Sequence, residues 1–344
     1  MIGVIFVTTI IMVLIAVFLA FTMLITDKSG KNTDFFDKST SSSLRGFWSI
    51  VILLVHIPEL YQNTIQDLIG SFAYIGVTFF FISSSFGVMQ GIIKKGDAYF
   101  QNFWRNRLKR LLIPMLISNV FMFIFTLFST RKCEFDLLIQ LTGWVRQLLY
   151  FYLIVWFTYK GPLRKISNDK KNIIICVLTV ILSLVTYFTG GKGISGWPTE
   201  MWGCLYGMFL AFNKEKVKNL LSQKFFVLMP IFLVTAGVTG LLYLKYKYIF
   251  FFGEYLLKVV LGLLITMVVF IYNSRFKIGN MVNRFLGSIS YEIYLVHALS
   301  FLIIEYFAPE VESGLFILLS IVLTVVISVI INKIANSVNK RLSR

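Results

Sequence analysis

Apolar residues run along this chain in long unbroken blocks. Blocks that can cross a bilayer, about 20 residues each, fall at 2–25, 46–62, 70–93, 111–130, 138–158, 172–189, 199–213, 225–244, 250–272, 286–307 and 314–335. The pattern predicts eleven transmembrane helices, with the short block at 199–213 the weakest. Residues 2–25 lack the basic leader and small-residue cleavage site of a secretory signal, so they read as a retained anchor helix. A polar, Ser- and Thr-rich stretch at 27–43 reads as a solvated cytoplasmic linker, residues 44–336 as the main membrane domain, and 337–344 as a basic cytoplasmic tail.

Composition supports this division. The chain is 57% apolar and 14% charged, against about 25% charged in an ordinary soluble domain. It therefore reads as an all-α polytopic membrane protein. The net charge of +17 would suggest nucleic acid in a soluble chain, but here it sorts by loop. With the segment after the first helix inside, alternate segments hold 26 of the 33 basic residues, as positive-inside orientation requires. The N-terminus is then outside, the C-terminus in the cytoplasm, and the partner of the basic surface is the lipid bilayer rather than nucleic acid. Two His and three Cys (Cys133, Cys176 and Cys204) offer no metal-ligand or redox spacing, so no metal is expected.

Four constellations carry possible chemistry. In LRGFWSIVILLVH, Arg45 precedes His56 by eleven residues, a rise of about 16 Å on one helix face. His56 is then deep in the membrane, either satisfied by a neighbouring helix or facing a polar cavity. Glu59, one turn on, either orients the imidazole or faces water at the rim. In FWRNRLKRLLIP, Arg107 and Arg110 share a face and either anchor to lipid head groups or hold a phosphorylated ligand. Pro114 should start or kink the next span.

In IGVTFFFISSSFGVMQG, Ser84, Ser85 and Gly87 suit close helix packing. In FLGSISYEIYLVHALS, Tyr291, Glu292 and His297 are placed near the inner half of a span. Glu292 and Lys258 either pair with each other or snorkel to an interface. The Gly-rich loop at 189–197 is either an acceptor contact or a flexible connector.

Taken in order, R-x10-H, the F-F-F-x-x-S-x-F segment, R-x-x-R before Pro, W-G-x-x-Y-G-M and L-G-x-I-S-Y-x-I-Y-L-x-H resemble the acyltransferase-3 family of membrane O-acyltransferases over about residues 44–336. The resemblance implies a ten-helix core, here with one extra N-terminal transmembrane helix, in a bacterial cytoplasmic membrane. It implies transfer of an acyl group, usually acetyl, from acyl-CoA to a hydroxyl of a cell-envelope or exported polysaccharide or glycolipid. The family's catalytic histidine falls on His56, its arginine on Arg45, and its R-x-x-R pair on Arg107 and Arg110. Ser85 stands where the family's S-G-F has glycine. On this reading Glu59 assists His56, and Ser84, Tyr291, Glu292 and His297 are further candidates. A transporter or flippase of lipid-linked saccharides is the rival, although the six prolines do not fall into paired broken helices.

Overall fold

The structure, a computed structural model, describes residues 9–15, 17, 34–63, 66, 69–190 and 197–342, and these are helical with no strand among them. Helix α1 spans Lys38–Val55, α2 Tyr74–Lys95, α3 Phe103–Thr130, α4 Gly143–Lys160, α5 Asn168–Phe188 and α6 Trp202–Phe212. Then come α7 (Lys214–Gln223), α8 (Phe225–Tyr246), α9 (Lys258–Arg275), α10 (Met281–Ser288), α11 (Ser290–Phe307) and α12 (Ser313–Arg341). Among the described residues, seven helical segments are long and apolar enough to cross a membrane, or eight if α10 and α11, bent by 73°, form one broken span. The outward faces are apolar: on α8, Phe226, Leu233, Val234 and Leu241 are all exposed, as lipid contact requires.

Several elements depart from the hydropathy reading for identifiable reasons. The block at 46–62 does not form one span, because α1 starts earlier, at Lys38, and stops at Val55. Pro58 explains the stop: it lacks an N–H and disfavours helical geometry at the residue before it. A 3-10 turn at Glu59–Tyr61 follows instead. The block at 199–213 yields only the 11-residue α6, whose rise of about 16 Å is half a bilayer core. Pro114 starts no new span; it lies inside the continuous α3, so Arg107 and Arg110 belong to that helix's first turns.

The polar linker is also shorter than expected. Asp37 caps α1 by accepting from the Thr40 N–H at 2.6 Å, so residues 38–43 are already helical. Phe35 and Phe36 are buried rather than solvated. Phe35 packs edge-on to Phe270 at 5.6 Å, and Phe36 lies 4.8 Å from Phe86. The Asn273 amide donates to the Phe35 carbonyl at 2.7 Å, and Lys214 pairs with Asp34 at 2.6 Å. Of the expected anchor helix, Met12 is fully buried in a cluster with Leu53, Leu54 and Phe316; residues 1–8, 16 and 18–33 lie outside the described residues, as do 191–196 of the Gly-rich loop.

Two backbone contacts hold the functional core. α1 packs on α10, where a methyl on Gly46 would strike the Asn283 carbonyl and one on Gly287 would strike the Ser42 carbonyl. α6 packs on α2, where Gly203 faces the Thr78 carbonyl and Gly207 faces Ser85 and the Ile82 carbonyl. This is small-residue packing, which lets helices approach closely where lipid offers no hydrophobic drive. Ser85 thus fills a packing position against Gly207. Gly207→Leu should push α6 off α2 and cost about 1–3 kcal/mol, read as a lowered thermal midpoint in detergent, whereas Gly237→Leu, with open space around it, should leave the midpoint unchanged.

Candidate active site

α1 is the spine of the site. Its first half is polar and its second apolar, so it carries Lys38 and Arg45 at one end and His56 as the C-terminal cap at the other. The antiparallel α2 runs beside it, with Tyr74 at the His56 end and Gly87 at the Arg45 end.

A cavity of about 620 Å³ opens between α1, α2, α3, α4, α11 and α12, a size that can bury most of a small ligand. Arg45, Arg107 and Arg110 line it, with Lys38 at the start of α1. Arg107 donates to the Tyr99 hydroxyl and lies 5.1 Å over the Tyr152 ring. The Arg45 Nε is buried with no hydrogen-bond partner. Among the described residues, none of the three arginines makes an ion pair. Cations gathered in a cavity without carboxylate partners suit an anionic, oxygen-rich ligand, which guanidinium forks bind in pairs.

Deeper, the lining turns aromatic and aliphatic: Trp144, Tyr294, Leu148, Phe80, Ile52 and Val77. Ser84 lines the same cavity, within hydrogen-bonding reach of Tyr152. Tyr291 also lines it and donates to the Leu111 carbonyl at 2.7 Å. Glu292 is buried there, but it does not meet Lys258. Its Oε1 accepts from Asn332 Nδ2 at 2.9 Å, and Asn336 in turn donates to Asn332 at 2.9 Å. Lys258 pairs instead with Glu200 at 3.4 Å.

A second cavity, about 260 Å³, lies at the other end of α1 and is lined by His56, Ser71, Tyr74, Trp197, Tyr243 and Lys258. Ile52 and Val77 line both cavities, so these two aliphatic side chains lie between them.

His56 is exposed at this second cavity. Its Nδ1 lies 2.7 Å from the Ile52 carbonyl. A carbonyl only accepts, so Nδ1 carries the proton and Nε2 keeps its lone pair for a substrate. Glu59 does not orient the imidazole, because it is exposed in the 3-10 turn after Pro58 and makes no bond to His56. His297 is not near the basic end, as the sequence placed it. The bend between α10 and α11 starts a new helix at Ser290 and carries His297 two turns in. Its buried ring lies 4.8 Å from that of His56 and packs against Tyr294 and Phe301.

A family model described as an acyltransferase domain matches residues 41–333. The chain belongs to the acyltransferase-3 family. No curated protein and no solved structure matches it. As an acyltransferase-3 protein it is a membrane acyltransferase by family, and its match covers every residue placed in the two cavities except Lys38, Ala335, Asn336 and Asn339.

Sequence reasoning missed the aromatic partners of Arg107 and the Asn332–Asn336 relay. The relay had a signal: three asparagines, Asn332, Asn336 and Asn339, recur every three to four residues on one face of α12. Tyr99 and Tyr152 had none, being two among 16 tyrosines. Because the acyltransferase-3 chain has only two histidines, ring ¹⁵N NMR can read the His56 tautomer directly. With His297→Phe isolating one ring, the Nδ1–H form should dominate at neutral pH. A dominant Nε2–H form would remove the lone pair from the substrate side.

Proposed function

We propose that the protein is an acyl-CoA-dependent O-acyltransferase, most simply an acetyltransferase, acting on a hydroxyl of a cell-envelope or exported polysaccharide or glycolipid. The observation that carries this reading is the pair of cavities back to back on α1. One gathers uncompensated arginines, the other holds a histidine with a free Nε2, and Ile52 and Val77 separate them. The donor's phosphates sit against Arg45, Arg107 and Arg110, and its pantetheine arm runs along α1 past Trp144 and Tyr294. The rise from Arg45 to His56, about 16 Å, suits such an arm, which delivers the thioester at the Ile52–Val77 layer.

The chemistry then needs little else. The acceptor hydroxyl oxygen attacks the thioester carbonyl carbon while His56 Nε2 takes the hydroxyl proton. The tetrahedral intermediate collapses by breaking the C–S bond, and the thiolate leaves with the proton from His56. The product is an ester and free CoA. The His297 ring, packed against His56, fixes the plane of the imidazole. Ser84 lines the arginine cavity beside Tyr152 rather than beside His56, which favours direct transfer over an acyl-serine intermediate. The excess of basic residues on alternate segments supports a donor side facing the cytoplasm and an acceptor side facing outward, in a bacterial cytoplasmic membrane.

Two variants separate the ends of this arrangement. His56→Ala should lower acyl transfer about 10²–10⁴-fold, the usual weight of a general base, while acetyl-CoA affinity stays at the wild-type value. Arg110→Lys should do the converse first: it keeps the charge but loses the planar fork, so acetyl-CoA binding weakens. Isothermal titration of the purified protein with acetyl-CoA, together with mass spectrometry of envelope glycans from cells with each variant, measures both. A well-expressed His56→Ala protein with full transfer overturns the assignment of the base. Wild-type acetyl-CoA affinity in both Arg110→Lys and Arg110→Ala would make that arginine a lipid anchor.

A further inference from the structure

An ion pair inside a membrane domain needs a reason other than stability. Two charges withdrawn from water seldom recover their desolvation through mutual attraction, and apolar replacements of similar shape are often as stable or more so. Ionisable groups within spans therefore mark substrate paths more often than packing. Lys258, within the span that ends with α9, pairs with the buried Glu200 just before α6. Glu200 is 1% exposed, with one carboxylate oxygen accepting from Thr199 Oγ1 at 2.8 Å and the other 3.4 Å from Lys258 Nζ. The Lys258 ammonium also lies 4.9 Å from the centre of the Tyr74 ring.

The pair is not sealed in protein. Lys258 keeps 29% of its side-chain surface accessible, and it lines the same small cavity as His56. An ammonium has three N–H donors. Glu200 lies on one side as an ion-pair partner and the Tyr74 ring face on another, and these contacts leave donor capacity toward the cavity. Tyr74, Tyr243 and Trp197 supply aromatic walls around it. A partly accessible ammonium held by a carboxylate, beside aromatic faces and lining the same cavity as a general base, matches the needs of a polyhydroxylated substrate. Its hydroxyl oxygens take N–H donors and its C–H faces stack on rings.

We propose that the cavity holding His56, Tyr74, Tyr243, Trp197 and the Lys258–Glu200 pair is the acceptor site, and that Lys258 binds an oxygen of a polyhydroxylated acceptor next to the hydroxyl that His56 deprotonates. Glu200 is a positioning residue that aims the ammonium. This rests on the acyl-transfer reading above, and it adds the residues that select and hold the acceptor. No step of the transfer passes through Lys258; its hydrogen bond holds the acceptor while His56 moves the proton.

The test uses full-length protein and separates acceptor from donor. The paired replacement Lys258→Met with Glu200→Gln removes both charges and leaves no unpaired ion, so it avoids the folding penalty that a single charge deletion carries. Lys258→Arg keeps a cation at the same place. Each is assayed for thermal midpoint, for acetyl-CoA affinity by titration, and for alkali-released acetate from the envelope of cells expressing it. The expected result for the paired variant is a wild-type midpoint and acetyl-CoA affinity with envelope acetate down about tenfold or more, the scale of one lost charge-assisted hydrogen bond. Lys258→Arg should recover most of the acetate. Wild-type acetate in the paired variant overturns the proposal, because the charges then serve packing alone. A paired variant that unfolds or loses acetyl-CoA affinity overturns it as well, since the pair is then a support for the whole domain. Failure of the wild-type protein to bind acetyl-CoA or to yield envelope acetate strikes the acyl-transfer reading itself, and is told apart by that control.

Discussion

The close contact of α1 with α10 at Gly46 and Gly287 is what the rest of the site depends on. α1 carries Arg45 beside the glycine of that contact and His56 at its far end, so the depth of both groups is set by where this one helix sits. The first atoms a side chain at either glycine would meet are backbone. The same contact lies beside Ser288 and Ser290 of the arginine cavity and next to the 73° bend between α10 and α11. Beyond that bend α11 carries His297, whose ring lies 4.8 Å from that of His56. Small-residue packing between two short segments thus fixes a distance along one helix and a neighbour across to another.

Charge is distributed between the two cavities by a simple rule. At the basic end the arginines are left without carboxylates, so their donors remain available to an anion. At the other end Lys258 is already compensated by Glu200 and is directed rather than merely attractive. Trp144 and Tyr294 line the deep part of the arginine cavity, and on the proposed reading their rings flank the donor's thioester arm. Glu292, the one buried acid among the arginine cavity's lining residues, is turned toward Asn332 and the Asn336 relay rather than toward an arginine.

Much of this was legible in the sequence because long apolar blocks and fixed helical spacing are local properties. The spans of α3, α5, α8 and α12 follow from hydropathy, and Arg45, Arg107 and Arg110 share a cavity as their helix registers allow. What was not legible is long-range. Pro58 ends α1 at the histidine, so Glu59, one turn on in a continued helix, turns away. The 73° break at Ile289 could not be seen in FLGSISYEIYLVH, and without it His297 is placed too near the basic end. Phe35 and Phe36 sit in a polar stretch, and their burial depends on Phe270 and Asn273, far along the chain. Lys258 chose between two acids, Glu200 and Glu292, on geometry that no spacing records.

If the arginine cavity takes the donor and the His56 cavity the acceptor, as proposed, the two should open to opposite faces of the membrane. Single cysteines at Ser71 and at Asn336, in a background with Cys133, Cys176 and Cys204 replaced by serine, decide whether they do. In sealed, right-side-out vesicles an impermeant thiol reagent should modify the cysteine at 71 and spare the one at 336 until the membrane is opened. Labelling of both positions from the same face would refute this arrangement, because donor and acceptor would then share one entrance.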